Sequence, residues 1–264
     1  MKTRIFILWL VLPIVVYSQQ SFYKSSSSDY LWQNVGNSGF SQAGSYYTSL
    51  AFNPIDGQPY VAFADILVGC GTKGPGVVMK FDGTQWVNVG FAGFTIDSIG
   101  YTSLAFSPVD NLPYVAFAAG CSSSLQAKVM KFDGSNWEYV GNGGISPGTA
   151  AFTNLAFNPI NGQAYVAFMD LMNSNKASVM RFDGTTWVYV GSPDFSVGEG
   201  WYLRIAFSPS GIPFVVYQDF ANTGEVTVMK FDGTSWVNVG SPGFTSGQSR
   251  IWNQSIGWAT LCSY

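Results

Sequence analysis

The chain has 264 residues, a formal net charge of −3, no histidine and three cysteines, with 47% apolar, 17% aromatic and only 10% charged residues. The apolar content is enough for a core, so disorder is excluded, and 12 Lys and Arg against 15 Asp and Glu argue against nucleic acid or anionic membranes as partners. Without histidine there is no Ser-His-Asp triad, no Cys-His pair and no His-ligated zinc or copper.

Lys2 and Arg4 precede an apolar run from Ile5 to Val16, and Val16 and Ser18 are small enough for the −3 and −1 positions of a cleavage site. The run is short of the roughly 20 residues of a membrane span, so residues 1–18 read as a signal peptide rather than an N-terminal anchor. This predicts a secreted chain of residues 19–264 without a membrane span, carrying 10 basic against 15 acidic residues.

Five tryptophans, Trp32, Trp86, Trp137, Trp187 and Trp236, recur at spacings of 54, 51, 50 and 49. Each opens a segment ending in Val-Gly, as in Trp86-Val-Asn-Val-Gly90. Met-Lys/Arg-Phe-Asp-Gly precedes the last four, at Met79, Met130, Met180 and Met229. Leu104-Ala-Phe106 and Tyr114-Val-Ala-Phe117 have counterparts in each unit. A fixed period of this length defines the architecture. Each unit divides into four runs rich in Val, Phe, Tyr and Trp, bounded by turn residues, which predicts strands. In the second unit these are Thr102–Phe106, Pro113–Ala118, Lys128–Phe132 and Trp137–Val140. Ser107-Pro-Val-Asp-Asn111 and Asp133-Gly-Ser are tight-turn connections, so neighbouring strands run antiparallel.

Short antiparallel strands with apolar residues on consecutive positions suit sheets buried on both faces. The predicted fold is an all-β propeller of four-stranded blades, over residues 46–90, 100–141, 151–191 and 201–240. The termini supply parts of a fifth. Ser21–Lys24 and Trp32–Gly36 read as third and fourth strands, and Trp258–Tyr264 matches Tyr101–Ser107 in spacing, as a first strand. A five-bladed ring with a mixed blade and a piece of a longer propeller both fit this pattern.

Cys70 and Cys121 each lie nine residues before a repeat methionine, at equivalent positions, and are the disulfide candidates; three unpaired thiols are the alternative. Cys262 has no counterpart, and Asn253-Gln254-Ser255 is a candidate glycosylation site. Alternation of the chain puts the tight turns at one end of each blade. The longer loops, which connect second to third strands and blade to blade, gather at the other, where function usually sits. The candidate ligand-binding residues there are Asp65, Asp170 and Asp219, which follow the second strands, and Tyr47, Tyr101, Trp201 and Tyr202. The aromatics either stack on sugar rings or fill space between blades. The carboxylates either hold a ligand or cap loop amides. Asp82, Asp133, Asp183 and Asp232, with Asp56 and Asp110, read as turn formers, and the repeat methionines as core. No metal or cofactor site is predicted.

The units resemble the kelch-like repeats of secreted, galactose-oxidase-type propellers. They share a period near 50, a Tyr-Val second strand, and an aromatic shortly before a tryptophan, as in Phe132 and Trp137. The Gly-Gly pair of kelch units is replaced by Ala64-Asp65, Met169-Asp170 and Gln218-Asp219, and the oxidase copper site, which needs histidine, cannot form. The turns Asp82 to Trp86, Asp183 to Trp187 and Asp232 to Trp236 are similar to the Asp-box of sialidases, one residue shorter, but the arginine triad of that group has no clear counterpart. Two classes of function follow. The first is a secreted, non-catalytic propeller binding a glycan or an extracellular protein. The second is a carbohydrate-active enzyme using loop carboxylates, for which Asp170, Asp219, Glu199 and Glu225 are suitably placed. A structural segment of a larger cell-surface protein is a third reading.

Overall fold

Alternating hairpins and loops place fifteen strands in antiparallel order in a computed structural model of the chain, which describes residues 32–65, 74–120 and 125–247. The candidates Cys70, Cys121, Cys262 and Asn253, and the segment 1–18, lie outside the described residues. Contacts divide the chain into residues 1–34 and 35–264, and all that follows concerns the second unit.

The fold is a β-propeller, as the repeat predicts. Blade one comprises β1 (Ser45–Phe52), β2 (Pro59–Asp65), β3 (Gly76–Phe81) and β4 (Trp86–Asn88), hydrogen-bonded in that order. Blade two comprises β5 (Ile99–Phe106), β6 (Pro113–Ala119), β7 (Gln126–Phe132) and the start of β8 (Trp137–Phe157). The end of β8 begins blade three, with β9 (Ala164–Asp170), β10 (Lys176–Phe182) and β11 (Trp187–Tyr189). Blade four comprises β12 (Gly200–Phe207), β13 (Pro213–Asp219), β14 (Glu225–Phe231) and β15 (Trp236–Asn238). Among the described residues no helix is long and apolar enough to cross a membrane.

One local feature differs from the sequence expectation. The predicted loop between blades two and three is paired as strand, so β8 joins both blades into one seven-stranded sheet. Pairing of Lys128 with Gly144 and of Gln126 with Thr149 carries the ladder across. The Asp-Gly hairpins are four-residue connections. In each, the aspartate Oδ1 accepts two backbone N–H groups, as Asp183 does from Thr185 and Thr186, both at 2.8 Å. Asp82, Asp133 and Asp232 repeat this. These bonds hold all four carboxyls below the ordinary aspartate range, the N–H three residues on contributing most.

The core lies between blades. Val115, Ala116 and Phe117 are consecutive and all 0% exposed, because both faces of β6 are covered. One apolar cluster joins blades one and two, a second blades two and three, a third blades three and four. Met130, Met180 and Met229 are buried there.

A single indole contact recurs at every joint. The Nε1–H groups of Trp86, Trp137, Trp187 and Trp236 donate to the carbonyls of Val35, Val89, Val140 and Val190 in the preceding unit, at 2.7–2.8 Å. The glycine after each valine lets the ring approach. A Cβ at Gly90 would meet the Phe132 ring at 2.9 Å and Trp137 at 3.2 Å. Aromatics of the inter-blade loops cover the other face of the indole. Phe40 stacks on Trp86 at 4.3 Å, Phe94 on Trp137 at 4.7 Å and Phe195 on Trp236 at 4.6 Å. These loop aromatics therefore fill space between blades.

Trp187→Phe removes the bond to Val140 and leaves a buried carbonyl unpaired, with an expected loss of about 1–3 kcal/mol. Trp187→Ala adds a cavity and should cost about 3–5 kcal/mol; urea unfolding measures both. The hairpin aspartates have depressed carboxyl pKa values in the fold, so their stabilisation is present above the unfolded value and is lost as pH falls through the folded one. Replacing all four by Asn keeps an acceptor oxygen and removes the titration. The melting temperature should then fall less steeply below about pH 4 than in the natural chain; equal slopes would exclude this contribution.

Candidate functional site

First strands line the inside of the propeller, packing in the order β1, β5, β8, β12. Each contains one bulge, between Tyr46 and Ser49, Gly100 and Ser103, Ala151 and Asn154, and Trp201 and Arg204. At each bulge an aromatic residue adopts a left-handed backbone: Tyr47, Tyr101, Phe152 and Tyr202, at φ 52–56°. Bulky residues rarely take this conformation. Neighbouring blades hold it in place, Thr102 donating to the Tyr47 carbonyl and Thr153 to that of Tyr101. The four rings touch in sequence, with centroids 4.8, 4.8 and 4.6 Å apart. Three sequence candidates, Tyr47, Tyr101 and Tyr202, are thus links of one aromatic column. Burial pushes all three phenols up.

Asp170 and Asp219 end β9 and β13 at the loop-bearing face, but they point into their own loops. Asp170 is 0% exposed and accepts from Met172 N and Asn173 Nδ2, both at 2.9 Å. Asp219, 1% exposed, accepts from Ala221 N at 3.0 Å, Asn222 Nδ2 at 2.9 Å and Thr227 Oγ1 at 2.8 Å. Of the two sequence alternatives, these contacts are those of loop caps. Asp65, at the equivalent place in blade one, is buried, and its backbone N–H donates to Pro75 O at 3.0 Å.

The fourth aromatic candidate, Trp201, stands where blades two and three have Gly100 and Ala151. It lies against Phe152, Tyr202 and the exposed Phe220, at 5.8, 6.2 and 5.2 Å. Its Nε1–H donates to Glu199 Oε2 at 2.9 Å. An aromatic platform with a carboxylate at its edge therefore forms on the loop face of blade four. Phe220 was missed by sequence reasoning, because it sits on a short 3-10 turn (Phe220–Asn222) with no counterpart in the repeat.

A second carboxylate lies on the same inter-blade loop, five residues before Glu199. Asp194 occupies the position that Gly39, Gly93 and Gly243 hold elsewhere, and like them it is left-handed, at φ 55°. Its Oδ1 accepts from Ser178 Oγ at 3.2 Å, and its own N–H donates to that hydroxyl at 2.9 Å. Burial, and then the nearby negative charge of Asp170, raise its carboxyl above the ordinary aspartate value. Among the described residues no cluster of acidic or sulfur ligands is arranged to hold a metal ion.

No protein-family model matches the sequence. No curated protein matches it either. Solved structures do. A protein of unknown function from Dyadobacter fermentans is 16% identical, with a TM-score of 0.54, over 75% of this chain and 70% of that one. A family 117 glycoside hydrolase from Zobellia galactanivorans is 11% identical, with a TM-score of 0.50, over 80% and 74%. An exo-β-1,3-galactanase from Phanerochaete chrysosporium is 11% identical, with a TM-score of 0.50, over 77% of this chain and 51% of that one. At these identities the likeness is one of fold. It nevertheless corrects the leading sequence reading: the neighbours of named activity are glycan-cleaving enzymes, which favours the carbohydrate-active alternative over the non-catalytic binder.

Asp219→Asn turns an amide nitrogen or a weaker acceptor toward three donors and should cost about 1–3 kcal/mol, read from urea unfolding. A loss below about 0.5 kcal/mol, the usual limit for surface changes, would remove its capping role.

Proposed function

We propose that this chain is a secreted carbohydrate-active enzyme that hydrolyses glycosidic bonds, with Asp194 as general acid, Glu199 as the second carboxylate and the Trp201–Phe220 platform as a sugar subsite. Asp194 carries the reading. A carboxylate stands at a left-handed position where the repeat uses glycine. It is pushed toward its protonated form by burial and by Asp170. Strain of this kind concentrates at functional sites. A carboxyl raised toward its protonated form, with a second carboxylate on the same loop, suits the acid role in glycoside hydrolysis. Asp194 gives its proton to the leaving glycosidic oxygen as the sugar C–O bond breaks. Glu199 takes the proton of the water that adds to the sugar carbon. Trp201 and Phe220 offer apolar ring faces to a pyranose. The glycan-cleaving neighbours support a glycan substrate, and the apolar run after Lys2 and Arg4 supports secretion. The repeat itself reads as kelch-like, without oxidase chemistry.

Residues 19–264 should release reducing sugar from at least one polysaccharide of a panel that includes β-1,3-galactan. Asp194→Gly restores the glycine of the repeat, so it should leave the melting temperature unchanged or raised while lowering turnover at least about 100-fold, the scale of general acid catalysis. Natural turnover should fall as pH rises through the raised Asp194 pKa. Equal turnover in Asp194→Gly, or no release from any of these glycans, would overturn the assignment.

A further inference from the structure

A buried hydroxyl ties the inter-blade loop to the third strand in blades three and four. Val77, Lys128, Ser178 and Thr227 each stand two residues before the repeat methionine. Ser178 and Thr227 are 0% exposed. In blade four, Thr227 Oγ1 accepts from Gly243 N at 2.9 Å and donates at 2.8 Å to Oδ2 of Asp219, the residue that ends β13. The hydroxyl there joins two structural groups, a loop amide and a loop cap.

Blade three redirects this proton. Ser178 Oγ accepts from Asp194 N at 2.9 Å, as Thr227 does from Gly243. It then donates to Asp194 Oδ1 at 3.2 Å and not to Asp170, the counterpart of Asp219. Among the described residues the Asp170 carboxylate accepts from Met172 N and Asn173 Nδ2 alone, whereas Asp219 has a further donor in Thr227. Blades one and two have Val77 and Lys128 in place of the hydroxyl, and their loops carry Gly93 and Gly144 where Asp194 stands. Blade three is thus the blade that pairs the hydroxyl with a loop carboxyl.

We infer that Ser178 is the positioning residue of Asp194: it holds the carboxyl through Oδ1, so that Oδ2 carries the proton given to the leaving glycosidic oxygen. This rests on the glycosidase reading. A serine hydroxyl has one proton. Oδ1 receives it, and the Asp194 N–H already donates to Oγ, so the acid's own proton sits on Oδ2, which no donor holds among the described residues. As that proton leaves Oδ2 and the sugar C–O bond breaks, the carboxylate left behind keeps the Ser178 bond. Asp170 on β9, Lys176 on β10 and the Tyr189 phenol on β11 also face Asp194. Burial and Asp170 raise its carboxyl, while Ser178 and Lys176 hold it down. Two bonds to one buried hydroxyl also fix the rotamer, and proton transfer depends on such placement.

Ser178→Ala removes the bond to the charged form and frees the rotamer. Carbon-13 NMR, which needs no substrate, should show Asp194 titrating at a higher pH than in the natural chain. Turnover should fall at least about 10-fold in kcat with KM little changed, a part of what general acid catalysis supplies. The alkaline limb of the pH–rate profile should move up with the NMR midpoint. Ser178→Thr supplies the hydroxyl that blade four uses, and should return both midpoint and kcat toward the natural values. A merely structural serine would lower the melting temperature and leave the midpoint in place. An unchanged Asp194 midpoint in a folded Ser178→Ala chain would therefore overturn the inference. So would a natural kcat in that variant, or a loss that Ser178→Thr does not recover. A shifted midpoint in a chain that cleaves no glycan would overturn the glycosidase reading instead, and would still support the hold of Ser178 on the Asp194 proton.

Discussion

Everything in this propeller hangs on an indole held across each joint. A tryptophan opens the fourth strand of a blade and gives its N–H to a valine carbonyl of the unit before; Trp86, Trp137 and Trp236 are also covered by that unit's loop aromatic. The contact couples a directional hydrogen bond to a large buried apolar area, and aromatic stacking adds about 0.5–1.5 kcal/mol per pair. The glycine after each valine meets two demands: a left-handed backbone at φ 70–80° and, at Gly36, Gly90, Gly141 and Gly191, the next tryptophan and phenylalanine in the space of its Cβ. Because each joint needs the blade before it, stability passes from neighbour to neighbour as in other repeat folds.

This regularity is why the fold was legible and most of the site was not. Strand number, antiparallel order and the core positions follow from residues that recur, such as Val115, Val166 and Val215, all 0% exposed. The turn aspartates were legible for the same reason. For Asp170 and Asp219, position alone left ligand holding and loop capping both open, because their orientation depends on loop donors, Asn173 and Asn222, that follow in chain order but not in the repeat. The extended path of β8 was equally hidden, since pairing of Gly144 with Lys128 is a choice of register that no residue type announces.

The candidate site consists of departures from the repeat. Trp201 stands where the middle blades have Gly100 and Ala151 and blade one has Tyr46, and Asp194 replaces the glycine of three other loops. In a chain where sameness is structural, a costly difference marks function. A strained carboxylate, raised toward its protonated form and sharing a loop with a second carboxylate beside an aromatic platform, suits glycosidic bond cleavage better than passive binding. The aromatic column of Tyr47, Tyr101, Phe152 and Tyr202 is the rigid wall on which that site is built.

The proposed chemistry rests on the protonation of one side chain. Carbon-13 NMR titration of the Asp194 carboxyl reads it directly. The account predicts a midpoint above the ordinary aspartate value of 3.8, falling back toward it when Asp170 is replaced by Asn. A midpoint at or below 3.8 would contradict the assignment of Asp194 as the acid.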